Sequence, residues 1–127
     1  MSTDIFDYIT RSRKKTWQPL IENGHHYNGI FVKSLRYDEA AQRSKTILLK
    51  FEAGASYPYH NHPAGEELFV LSGEVTVEGA HLTEGDYLYT PPDFKHSVRT
   101  NTGCTLLFVV PEEVEILGLR ETFLKVL

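Results

Sequence analysis

Short runs in which apolar and polar residues alternate fill the middle of the chain: Ile30 to Arg36, Thr46 to Glu52, Glu67 to Leu71, Glu74 to Val77, Tyr87 to Tyr89, Ser97 to Thr100 and Thr105 to Val110. A period of two is that of a strand with one dry face and one wet face. Gly, Pro, Asn and Asp punctuate these runs at short intervals. That is the pattern of an all-β antiparallel barrel or sandwich, not of strands alternating with helices. Turns are expected at Ser72-Gly73, Glu78-Gly79 and Glu84-Gly85, where glycine supplies the positive φ of tight hairpins. The barrel core is therefore expected over about residues 29–110, with residues 1–28 as an N-terminal arm. Within that arm Ile5, Phe6, Tyr8 and Ile9 alternate with polar residues, which suits a short helix or extended arm docking one apolar face. In the tail, 111–127, the stretch from Glu112 to Leu127 returns to helical spacing, with Val114, Leu117, Phe123 and Leu124 as packing positions. Such a tail would seal one barrel end or reach a partner subunit.

The chain has 127 residues, enough for one domain and a single core that hides roughly two-thirds of the unfolded surface. Its net charge is −4 and its basic residues form no long stripe, which argues against a nucleic-acid surface. The Arg11, Arg13, Lys14, Lys15 group reads as a solvated face. No apolar run approaches the roughly eighteen residues of a membrane helix, and the polar start lacks a signal-peptide core, so the expected location is cytoplasmic. Cys104 is the single cysteine, which rules out an internal disulfide and a thiolate zinc cage. Its apolar neighbours predict a buried structural thiol.

Candidate chemistry concentrates at His60, His62, Glu66 and His96. In extended chain His60 and His62 point the same way, so they can share one ion. Glu66 keeps that parity, and Pro63, Ala64 and Gly65 allow a bend that brings its carboxylate beside the imidazoles. Glu67 competes with it, but parity with His62 and the spacing to Gly73 favour Glu66. His96 must arrive from another strand. Imidazole and carboxylate together suit divalent iron, manganese, zinc, nickel or cobalt. In a six-coordinate ion, four protein ligands leave two positions for a substrate, dioxygen or water. Zinc could instead be satisfied by the four residues alone, giving a structural or sensing site.

Gly54, His60, His62, Glu66 and Gly73, followed by Gly85, Pro91 and His96, reproduce in spacing the two motifs of the cupin superfamily, which the chain resembles. Asp93 stands where that family usually has Gly, and Asn101 lies one residue late; Asp accepts a left-handed backbone better than most residues. Trp17 with Pro19, the stretch from Leu35 to Phe51, the run from His62 to Glu67, the run from Val70 to Gly73, and Gly103-Cys104 are similar to small cupins related to anti-sigma-factor cupin domains and dioxygenase-like proteins. The resemblance runs from about Trp17 to Val110. It implies a double-stranded β-helix, or jelly-roll barrel, and a homodimer paired through an N-terminal strand or sheet face.

Tyr57, Tyr59, Tyr87, Tyr89 and Phe94 flank the ligands and are candidates for a pocket that takes a small organic molecule, although aromatics also build ordinary barrel cores. Leu68, Val70 and Val98 share parity with neighbouring ligands and should line the interior. Asp93 is a candidate to orient a ligating histidine. His25-His26 sits on a Gly- and Asn-rich loop and reads as exposed. The leading functional expectation is a metal-dependent enzyme, dioxygenase-like, acting on a small dicarbonyl or aromatic carbonyl compound. Isomerase or lyase chemistry on the same site would need Glu67 or a tyrosine as acid or base. The alternative is a metal-loaded sensor or ligand-binding module without catalysis. Direct anti-sigma activity is not expected, because no N-terminal Cys/His zinc motif is present, and no helix-turn-helix segment is evident.

Overall fold

The structure is a computed structural model and describes residues 1–118. Ten strands occur among them: β1 (Gln18–Glu22), β2 (His25–Asp38), β3 (Arg43–Phe51), β4 (Ser56–Asn61), β5 (Glu66–Val77), β6 (Ala80–Thr83), β7 (Tyr87–Thr90), β8 (His96–Arg99), β9 (Cys104–Val109) and β10 (Glu115–Ile116). All described pairings are antiparallel, and the order β1-β2-β3-β9-β5-β8-β4-β10 curls the strands into two facing layers, with β6 and β7 also on β5. The antiparallel barrel or sandwich expected from the alternating pattern is the fold found, in the jelly-roll form that the resemblance implies. Apolar residues from both layers meet inside, with Ile30, Leu68, Val70, Val75 and Leu106 almost wholly excluded from water.

Ser72-Gly73 is not a hairpin turn. The two runs on either side of it form one strand, β5, whose first half pairs with β7 and β9 and whose second half pairs with β6 and β8. Glu66, Leu68 and Val70 point inward, then Val75 and Val77 do; parity switches across a register shift between Val70 and Ser72. An extra residue there lets the strand bend from one layer into the other while keeping its apolar side on the core. Gly73 sits at φ 79°, and a Cβ on it would come within 2.1 Å of the Gly103 carbonyl oxygen. Glu78-Gly79 is a hairpin turn as expected, with both residues at positive φ.

The sheet begins earlier than the alternation suggests, since β1 and the first part of β2 fall within residues 18–28. Pro19 and the His25-His26 pair hide the period of two there. The first residues form two single-turn 3-10 helices, Ile5–Tyr8 and Ser12–Lys14. Their apolar residues do not dock: Ile5, Phe6, Tyr8 and Ile9 are all exposed. Polar contacts hold the segment against β2 instead, with Thr10 donating to the Leu35 carbonyl and Lys33 to that of Ser12. Nor is the start of the tail helical over Glu115 and Ile116, which add to β4 opposite Asn61 and His60. Phe123 and Leu124 lie outside the described residues.

Candidate metal centre

His60 and His96 are direct partners across β4 and β8, which brings their rings to 4.5 Å between centroids. β4 does not run regularly up to that point. Its register shifts between Tyr57 and His60, at Pro58-Tyr59, so Tyr57 and His60 both face inward although their parity differs. Proline, which has no N–H to give to a ladder, fits such an irregularity. The chain then leaves β4 and turns through Pro63-Ala64-Gly65, closed by the Gly65 amide donating to the His62 carbonyl, and re-enters the sheet at Glu66. Asp93 occupies the third position of the Pro91–Phe94 turn at φ 67°, and its amide also donates to the His62 carbonyl. That left-handed position is the one the motif gives to glycine, and Asp adopts it.

The result is a buried cluster of His60, His62, Glu66 and His96, whose ligand atoms all lie within 4.8 Å of one another. Nε2 of His62 is 2.8 Å from Glu66 Oε2, and Nε2 of His96 is 3.5 Å from Oε1. These approaches lack hydrogen-bond geometry: both ring nitrogens of His62 and of His96, and Oε1 of Glu66, have no hydrogen-bond partner. Buried polar atoms without partners are costly and rare in native folds. Several of them aimed at one point fit a bound cation. Nδ1 of His60 lies 2.6 Å from the Pro58 carbonyl oxygen, which can only accept; the proton is therefore on Nδ1 and Nε2 keeps its lone pair. Burial holds the His60 imidazolium down to a pKa of about 3, helped by the neighbouring histidines, and burial also lowers that of His96. Neutral imidazole is the form that ligates metal.

A cavity of about 460 Å³ opens over this cluster, with His60, His62 and Glu66 on its wall. Tyr57 and Val98 also line it. Leu68 is buried in the core, but Tyr59, Tyr87, Tyr89 and Phe94 do not line the cavity. The β5–β7 register explains two of these positions, because Tyr87 pairs with outward Phe69 and Tyr89 with outward Glu67, leaving Leu88 and Thr90 beside inward Leu68 and Glu66. Phe94 is exposed on its turn. Asp93 does not orient a histidine; it accepts from the Asn61 side chain, which also donates to Glu115. His25 and His26 are exposed, with the His25 ring edge-on to Tyr27.

Glu22 and Arg43 line the cavity as well, and no local motif singles out either. Both sit on strands whose approach to the ligands depends on how the two layers close, which local patterning does not encode. Tyr57 donates to Glu22 at 2.5 Å. Burial, and then the Glu22 charge, raise the pKa of Tyr57 and of Tyr27, so both phenols stay protonated. Cys104 is buried as expected, its thiol pushed up to about 11 by burial. Among the described residues no helix is long and apolar enough to cross a membrane.

A jelly-roll barrel carrying three histidines and a glutamate on its inner wall is the architecture of a cupin. The chain belongs to the ChrR cupin-like domain family, whose model matches residues 7–114. It is 38% identical over 60 residues to the DNA damage-repair/toleration protein DRT102 of Arabidopsis thaliana, and 42% identical over 53 residues to the dimethylsulfoniopropionate lyase DddQ of Ruegeria pomeroyi. These matches take in 42% and 38% of the chain but only 19% and 26% of the relatives' lengths. Among solved structures, a protein of Methylibium petroleiphilum assigned as an acetylacetone dioxygenase superposes with a TM-score of 0.69 at 17% identity, over 91% of this chain and 80% of that one. The anti-sigma factor ChrR of Rhodobacter sphaeroides, solved in complex with SigE, gives 0.60 at 21% identity over 79% and 50%. At these identities the two structures establish the fold alone.

Proposed function

We propose that the protein is a mononuclear metal-dependent cupin enzyme that acts on a small carbonyl compound. The observation that carries this reading is the convergence of buried, unpartnered imidazole and carboxylate atoms on the wall of a cavity with apolar sides. His60, His62, Glu66 and His96 hold the ion, one of iron, manganese, cobalt, nickel or zinc. When bound, the ion supplies Lewis acidity to a carbonyl oxygen. The cavity supplies the rest: Val98 and the surrounding apolar residues shed water from the compound, and its size suits a small organic molecule. Oxidative cleavage of a dicarbonyl is the most concrete version, supported by the acetylacetone dioxygenase assignment of one structural relative. Elimination chemistry is supported by the lyase relative. An oxygen electrode tests the first version: the Fe(II)-loaded protein consumes oxygen with dicarbonyls or catechols, and uptake no greater than that of His96→Ala would refute it.

A second reading, a metal-loaded sensor that binds a small ligand without turning it over, draws on the family itself and on the ChrR–SigE complex. It predicts ligand affinity with no product. In either case we take the protein to be cytoplasmic and to work as a homodimer, the pairing supported by the exposed apolar residues of the N-terminal segment.

A further inference from the structure

The cavity wall carries an acid–base group outside the four-residue cluster. Glu22, at the end of β1, is half-buried and faces the same cavity as His60, His62 and Glu66. It is held there. The Tyr57 hydroxyl donates to its Oε1 at 2.5 Å, the Tyr57 ring packs edge-on against His60 with centroids 4.8 Å apart, and Tyr27 backs Tyr57 at 4.9 Å. Through Tyr57, a carboxylate on one strand layer is thus fixed relative to a candidate ligand on the other. The remaining carboxylates are placed differently. Glu66 belongs to the cluster, Glu113 also reaches the cavity but from the exposed stretch after Pro111 with no hydrogen bond among the described residues fixing it, and Glu67 lies outside the barrel, where it accepts from Tyr87 at 2.7 Å.

We propose that Glu22 is the general base of this site, removing a proton from a carbon adjacent to a carbonyl in a small chelating carbonyl compound, with Tyr57 as its positioning residue. The inference rests on the reading that the cluster holds a metal ion and the cavity a carbonyl compound. In the step, the C–H bond breaks, the proton passes to a carboxylate oxygen of Glu22, and the electron pair moves through the carbon framework onto the carbonyl oxygen. Return of the proton at a different atom gives an isomer; loss of a leaving group from the next carbon completes an elimination. No oxidant or reductant is needed. A base fixed in this way is worth 10²–10⁴-fold in rate, to order of magnitude.

The probes are 2-oxobutanoate and 3-hydroxy-2-butanone, incubated in D₂O with the Mn(II)-loaded full chain, with deuterium incorporation beside the carbonyl followed by NMR. Manganese content and probe affinity by calorimetry are read in parallel. Wild-type protein is expected to exchange at least one probe. Glu22→Gln keeps the size and the acceptor for Tyr57 but cannot take the proton, so it should lose about 100-fold or more in exchange rate with metal content and affinity unchanged. Tyr57→Phe should lower kcat for exchange with little change in KM. Wild-type exchange in Glu22→Gln would overturn the proposal. Manganese and probe bound without exchange in wild type would overturn it alone, whereas a chain that binds no manganese would take the metal reading down with it.

Discussion

At the cluster, His62 and His96 have lost water at both ring nitrogens without gaining a hydrogen-bond partner, as has Oε1 of Glu66, and that sets what substitution should do. His96→Ala or His62→Ala removes one of four donors, and should weaken divalent-metal affinity by more than the roughly 10–100-fold typical of residues that merely orient a ligand. A competition titration against a chromogenic chelator measures it. Protons act on the same residues. With folded-state pKa values depressed below the ordinary 6.5, the metal-stripped protein binds fewer protons at His60 and His96 than its unfolded chain does. Their contribution to stability is thus present above pH 6.5 and is lost as pH falls below it, for His60 down to about 3. Glu74 behaves differently. Its Oε2 accepts from the Asn101 and Thr102 amides and from the Thr100 and Thr102 hydroxyls, and these bonds, the Thr102 amide first, hold its carboxyl down to about 2. What it contributes is present above about 4.5 and lost between there and 2. The melting midpoint of the metal-stripped protein should therefore start to fall below pH 6.5 and fall more steeply below about 4.5, and Glu74→Ala should lower it at pH 7 but barely at pH 2. The ligand set was readable in the sequence because parity and turn residues are local. Glu22 was not, because only closure of the two layers brings it to the cavity.

For the strands, the alternating pattern told which face is dry but not where a strand changes layer. Ser72-Gly73 carries the composition of a turn, and the difference between a turn and a bulge lies in what packs against it. Here that is the Gly103-Cys104 backbone, far along the chain and close in space. Gly73→Ala should accordingly destabilise far more than the roughly 1 kcal/mol of an ordinary glycine replacement, through the clash with the Gly103 carbonyl. Gly79→Ala, where the added Cβ meets nothing within 4 Å, should show only the strain of its positive φ. Chemical denaturation of the pair separates the two effects. The tail misled for a related reason. Val114 and Leu117 fit a helical spacing, yet the free edge of β4 offers backbone partners, and Glu115–Ile116 takes them in extended form, with the Leu117 amide donating to the Tyr59 carbonyl.

Across the whole molecule, one core and one site share a wall. Leu68 and Val98 belong to the core cluster and neighbour Glu66 and His96 along their strands, so loosening the core should loosen the ligands. Leu106→Ala, at a fully buried position opposite Leu49 and Val70, should cost about 2–5 kcal/mol of stability. Metal should restore part of that loss, because an ion that binds only the folded chain stabilises it by mass action. On the function proposed above, His60, His62, Glu66 and His96 hold one divalent ion. Elemental analysis of protein purified without added metal, beside His96→Ala shown by circular dichroism to be folded, tests it most directly. About one iron, manganese, cobalt, nickel or zinc per wild-type chain is expected, with a large loss in the variant. Wild-type protein that stays metal-free even after loading, or a variant that keeps a full complement, would contradict it.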